Sequence, residues 1–232
     1  MGVHNRHVIL TSKSSRRRRF LLPLLAVGGV TIALLTLLTF RGSGQTVLIG
    51  TSLDGNSAPD FTLIDYRGQT ISLSDFRGQV VVLTFIYTNC TDVCPVLADN
   101  LREAYAQLPE NVRDNVALIA ITVDPERDTS KALRAFSVQH GLADNPHWYA
   151  LRGDPVTLER VWKSYGIYPG RSGGTPVPQG RTDVLPETSV LESGEGHTDA
   201  IYLVDPEGRE RVLMRSYIDP DSLAHNVKAL VN

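Results

Sequence analysis

Two runs of eight residues, Val80-Val-Val-Leu-Thr-Phe-Ile-Tyr87 and Val116-Ala-Leu-Ile-Ala-Ile-Thr-Val123, are almost free of polar side chains. A strand with one wet face alternates polar and apolar residues, whereas a strand apolar throughout must be covered on both faces. These runs therefore read as central strands of a sheet. The intervening segment supplies a helix. After Pro95, whose missing N–H is no loss in a first turn, Leu97, Leu101, Ala104 and Leu108 recur at helical spacing.

The flanking segments complete the pattern. Phe61–Tyr66 and Thr70–Leu73 surround a turn at Arg67-Gly68 and read as a hairpin. Helices are expected from about Thr129 to His140, from Val156 to Tyr165 and from Pro220 onward. Short strands are expected over His147–Leu151, Ala200–Val204 and Val212–Tyr217, the last two joined by a turn at Asp205-Pro-Glu-Gly208. Strand–helix–strand–helix followed by a hairpin and a helix is an α/β, thioredoxin-like order, here with an N-terminal β-hairpin extension. Residues 166–196 hold seven Gly and four Pro with little periodicity, a long loop of the kind that often carries function.

Charge divides the chain. Residues 1–44 carry seven basic and no acidic residues; residues 45–232 carry 16 basic against 25 acidic ones, a formal charge of -9. So acidic a domain is poorly suited to phosphate backbones, which argues against nucleic acid as a partner. From Phe20 to Phe40 there are 21 uncharged, mostly aliphatic residues, enough to span a bilayer as one transmembrane helix. The Arg16–Arg19 cluster before it should stay cytoplasmic, sending the domain to the extracytoplasmic side of the cell membrane. A cleaved signal peptide is the competing reading, and Arg17-Arg18-Arg19-Phe20-Leu21 loosely resembles a twin-arginine export signal. The expected plan is a basic tail over 1–19, an anchor over 20–40, a linker over 41–57 and the domain over 58–232.

Only two cysteines occur, Cys90 and Cys94, at the carboxyl end of the first apolar run. The loop between them is too short to staple a fold, so they read as a site. Ligands gather at that edge of an open α/β sheet, and a helix N-terminus favours an anion; Cys94 at least should ionise more easily than a free thiol. The offset permits either a disulfide or a shared metal. Two thiolates suit a soft ion, and Cu(I) accepts two or three ligands where structural zinc takes four. His197, opening a strand after the long loop, is the best-placed third ligand. His140, His147 and His225 read as surface residues, and Asp128 as a cap for the helix beginning near Thr129. Trp148 and Trp162 read as packing residues.

Three segments carry a family resemblance. Phe85-Ile-Tyr-Thr-Asn-Cys-Thr-Asp-Val-Cys-Pro95 resembles the Cys-x-x-x-Cys-Pro segment of the Sco/SenC family, copper proteins that assist cytochrome c oxidase assembly. Thr122-Val-Asp-Pro-Glu-Arg-Asp-Thr129 resembles that family's second signature, and the segment from His197 to Gly208 resembles its third. The resemblance implies Cys90, Cys94 and His197 as copper ligands, with Cu(I) bound and Cu(II) left open. It also implies a metallochaperone delivering copper to cytochrome c oxidase subunit II or a similar acceptor, with the copper donor unspecified. Gly196, where Asp often precedes the family's histidine, is a departure. The rival expectation is an enzyme, a membrane-anchored thiol–disulfide oxidoreductase using the Cys90–Cys94 pair. The Cys-x-x-x-Cys spacing, in place of the Cys-x-x-Cys of thioredoxins, weighs against it.

Overall fold

All seven residues of β4 (Val80–Ile86) and all seven of β5 (Val116–Thr122) are buried, as their unbroken apolar character requires. The structure, a computed structural model, describes residues 47–167 and 200–231 apart from Ser216 and Ile218. The expected transmembrane span 20–40 and His197 lie outside the described residues. Among the described residues no helix is long and apolar enough to cross a membrane.

Alternation along β4 divides the core. Val80, Val82 and Ile86 face one layer with Leu97 and Leu101 of α1 (Val93–Ala106), Leu133 of α3 (Ser130–Gln139) and Leu223 of α5 (Pro220–Val231). Val81, Leu83 and Phe85 face the other, with Phe61, Leu63 and, from α4 (Pro155–Ser164), Leu158 and Val161. A single turn of helix, α2 (Glu110–Arg113), precedes β5. The remaining strands are β1 (Thr51–Ser52), β2 (Thr62–Asp65), β3 (Thr70–Ser72), β6 (Trp148–Arg152), β7 (Ile201–Val204) and β8 (Glu210–Met214).

The eight strands run in the order β1-β8-β7-β4-β5-β6-β2-β3. β4, β5 and β6 are parallel, while β7 joins β4 antiparallel and pairs with β8. The extra hairpin, β2–β3, adds to the far side of β6. Its turn needs Gly68 at φ +88°, and buried Asp65 accepts the N–H groups of Arg67 and Gln69 at 2.8 Å each. α3 and α4 begin on the caps their sequences offer: Thr129 accepts from Ala132 N–H at 3.2 Å and Asp154 from Thr157 N–H at 3.0 Å.

Residues 47–57, within the span read as a linker, carry β1, which pairs with β8, and a bridge from Ser57 to Arg209. The segment is also clamped by α5. Ile49 N–H donates to Asn226 Oδ1 at 2.8 Å, and Asn226 Nδ2 donates back to Ile49 C=O at 2.7 Å. Asn226 is completely buried, so this two-way bond satisfies an amide that would be costly unpaired. Register places the clamp at the end of the sheet where β4 finishes: Thr84 pairs with Ile201, and Ile201 with Met214. His140, expected on the surface, is only 8% exposed. It closes α3 by turning back toward α1, with Nδ1 3.2 Å from Asp99 Oδ1 and its ring against Phe136.

Candidate metal centre

β4 delivers the chain to a short turn in which Cys90 N–H donates to Tyr87 C=O at 3.2 Å. α1 then starts at Val93, with Pro95 in its first turn. The first N–H groups of any helix lack intrahelical acceptors. Asp92 occupies the cap position but makes no side-chain cap bond. Cys90 takes that part: its Sγ accepts Cys94 N–H at 3.3 Å. One sulfur thus closes the helix start and faces the second cysteine. Cys90 is 6% and Cys94 1% exposed, and both are free thiols rather than a disulfide.

The two sulfurs are not equivalent. The Cys94 thiol donates to Cys90, and against the opposing cost of burial this bond holds the Cys90 pKa at about 4, far below a thiol's ordinary 9.0. The N–H groups of Cys94 and Asp92 and the Tyr87 side chain assist. Cys94 is pushed the other way: it is the donor in that bond, it is buried, and negative charge on Cys90 and Asp128 lies near it. The expectation that Cys94 would ionise more readily is therefore corrected. The helix start favours an anion, and Cys90 is the residue that supplies it.

This asymmetry is measurable. Reduced protein treated with iodoacetamide at roughly pH 6 should be alkylated at Cys90 and spared at Cys94, as read by peptide mass spectrometry. The Cys90 rate should stay nearly flat from about pH 8 to 5; a tenfold fall per pH unit would mean an ordinary thiol. Because folding favours the ionised form, Cys90 contributes stability present above about pH 9, its unfolded value, and lost as pH falls toward about 4.

Behind the cysteines lies a carboxylate that sequence reasoning took for a helix cap. Thr129 holds the cap position of α3, and Asp128, one residue earlier, turns into the protein and is completely buried. Its Oδ1 accepts Thr88 N–H at 2.9 Å and the Thr88 hydroxyl at 2.6 Å, and its Oδ2 accepts the Thr122 hydroxyl. Thr88 precedes Cys90 by two residues and Thr122 ends β5, so Asp128 ties the cysteine turn to the neighbouring strand. The available signal was the threonine after each central strand's apolar stretch. Trp148 and Trp162 are packing residues, as expected, with their indole N–H groups donating to Ser137 Oγ and Thr122 C=O.

The structure therefore brings together Cys90 and Cys94, two soft donors with one proton between them, which fits a soft monovalent cation better than a hard ion. His197 lies outside the described residues; the chain is described again from Ala200, whose C=O accepts the Thr84 hydroxyl at 2.9 Å near the end of β4. Among the described residues no cluster of three His, Cys, Asp or Glu side chains forms.

Comparison with known proteins gives concordant findings. The SCO1/SenC family model matches residues 50–232. The chain is 34% identical over 150 residues to the mitochondrial protein SCO2 homolog of Bos taurus, covering 64% of this chain and 50% of that protein. It thus spans about half the length of that relative. To the SCO1 protein homolog of Bacillus subtilis it is 29% identical over 187 residues, covering 79% of this chain and 84% of that protein. Among solved structures it is similar to ScoI of Bradyrhizobium japonicum with copper bound, at 27% identity and a TM-score of 0.53, covering 75% of this chain and 99% of that one.

Proposed function

Because the chain belongs to the SCO1/SenC family, we propose that it is a copper metallochaperone that binds copper through Cys90, Cys94 and His197. Sco proteins take part in copper handling for cytochrome c oxidase assembly. The recipient in this reading is the copper centre of subunit II of that oxidase. The observation that carries it is the cysteine pair itself, with Cys90 held as a thiolate beside the Cys94 thiol at a strand end. A soft ion finds one anionic sulfur ready and a second that needs to lose one proton. His197 precedes Ala200, the residue whose carbonyl meets Thr84 near the end of β4, by three positions. Three ligands leave room for an incoming soft ligand to displace one of them, which delivery requires and a closed four-ligand cage would resist.

In this reading the chain has a cytoplasmic tail over 1–19, a single membrane anchor over 20–40, a linker over 41–57, and the copper domain over 58–232 on the extracytoplasmic side. The same thiolate favours the rival reading, a thiol–disulfide oxidoreductase acting on the cysteines of the oxidase subunit, since low-pKa cysteines at helix starts suit disulfide exchange.

Anaerobic Cu(I) competition titration of the reduced full chain separates the two. One copper per chain is expected, with His197→Ala weakening it by more than about tenfold while leaving the dithiol able to oxidise. Copper affinity indifferent to His197, together with fast exchange against a model disulfide, would overturn the three-ligand chaperone in favour of the oxidoreductase.

A further inference from the structure

A second feature lies on the sheet edge that carries the cysteines. β2 pairs with β6 so that Ile64 stands directly opposite Arg152, the last residue of β6. Ile64 is 47% exposed, an apolar side chain left open beside that arginine. Pro125 and Glu126, in the connection from β5 to α3, and Pro155, which opens α4, complete a groove of about 280 Å³. Arg152 forms part of its lining. Its Nε is buried with no acceptor, and among the described residues its guanidinium makes no hydrogen bond or ion pair. Of the two carboxylates in the lining, Asp154 is committed to Thr157 N–H, and Glu126 is exposed on the rim. A buried donor without an acceptor is rare in folded proteins, and the guanidinium that carries it belongs to a residue lining the cavity.

The groove's size and place indicate its occupant. Its volume lies at the bottom of the roughly 300–1,000 Å³ range of small-molecule pockets and suits one or two side chains. β6 is two strands from β4, so at about 4.8 Å per strand the groove lies on the order of 10 Å from the cysteine turn. A protein that reaches Cys90 and Cys94 from this side covers the edge as well. A standard interface takes about 800 Å² per partner, a patch roughly 30 Å across, so the groove falls within its footprint.

We propose that this groove docks the copper-accepting protein, taking one of its carboxylates on Arg152 and an adjacent apolar side chain against Ile64, Pro125 and Pro155. The proposal rests on the acceptor reading given above. A cation without an ion pair in a domain of formal charge -9 is a group that an acidic side chain on a partner can recognise, and a guanidinium can give it directed bonds. Glu126 sets the limit on charge, and its removal should favour the same partner.

The test compares copper-loaded full chain in detergent with variants, measuring affinity for the copper-free soluble domain of cytochrome c oxidase subunit II by biolayer interferometry. Arg152→Gln should weaken the complex about tenfold, as loss of one charge-assisted bond implies, with Arg152→Lys intermediate and Glu126→Gln somewhat tighter than wild type. Cu(I) affinity and the melting temperature should be unchanged in all three. An Arg152→Gln complex as tight as wild type would overturn the groove assignment while leaving the chaperone reading intact. Failure of the copper-loaded wild type to bind the acceptor at all would overturn the acceptor reading, and the groove assignment with it.

Discussion

Replacing Cys94 by Ala should remove tight Cu(I) binding from a domain that still folds, and replacing Cys90 should do the same. Changes around a metal ligand alone cost about 10- to 100-fold in affinity, so loss of a ligand should exceed about a hundredfold in a competition titration. The two variants differ in what they do to the remaining thiol. Without the Cys94 thiol as donor, Cys90 loses the largest contribution to its depressed pKa and ionises at higher pH. Without Cys90, Cys94 loses the bond and the neighbouring charge that hold its proton, and its pKa falls. The wild-type pair has a further signature. With Cys90 already ionised at neutral pH and Cys94 protonated, Cu(I) binding should release one proton from the pair, and affinity should rise about tenfold per pH unit near pH 7. A hundredfold rise per unit that persists in His197→Ala, where no imidazole proton is counted, would mean both sulfurs are protonated before copper arrives. Copper affinity unaltered in Cys94→Ala would remove that residue from the ligand set.

Asp128→Ala should lower stability by about 3 kcal/mol, since it strands three buried or half-buried donors and removes hydrogen bonds to a charged acceptor. For a domain of this size that is a fall in melting temperature of roughly 6–12 °C. Asp128→Asn should cost less, because its remaining carbonyl oxygen can still accept both Thr88 donors. Copper affinity should fall along with stability, since Thr88 anchors the turn that carries Cys90. Urea unfolding and Cu(I) titration of the same samples separate the two effects. A loss below about 1 kcal/mol in Asp128→Ala would mean that water replaces the carboxylate at no great cost, and the tie between the cysteine turn and β5 would lose its structural role.

What the chain reveals before folding follows from how local each signal is. β4 and β5 were legible because two-sided burial leaves only one threonine in each to interrupt the apolar pattern. The turns at Gly68 and Gly208 were legible because left-handed backbone there calls for glycine. The cysteine pair stood out because spacing and strand end are both local. β1 was not visible: it has two exposed residues, and its partners on β8 lie some 160 positions away. Asn226 reads as an ordinary polar residue in the last helix until Ile49 is brought beside it. Which cysteine ionises depends on which sulfur accepts and which donates, a choice made by the turn geometry rather than by the Cys-x-x-x-Cys spacing. Arg152 and Ile64 become neighbours only when the hairpin joins the far edge of the sheet.

The clamp between Asn226 and Ile49 also bears on reach. From Val47 the chain is held by that pair of hydrogen bonds, by His225 Nε2 at 3.2 Å from Val47 C=O, by the short β1–β8 pairing with Leu53 N–H and Asn56 C=O bonded to Arg211 and Glu210, and by the Ser57–Arg209 bridge, and none of these bonds involves β4, β5 or the cysteine turn. Peeling the segment away would leave the β4–β5 pairing and the hydrogen bonds of the cysteine turn in place, while uncovering the core that Leu48 and Leu53 pack against. Peeling it as far as Ser57 would add on the order of 35 Å of extended chain, at about 3.5 Å per residue. The fold thus stores slack at its leading edge, a leash released only when the Asn226 clamp and the pairing with β8 both give way.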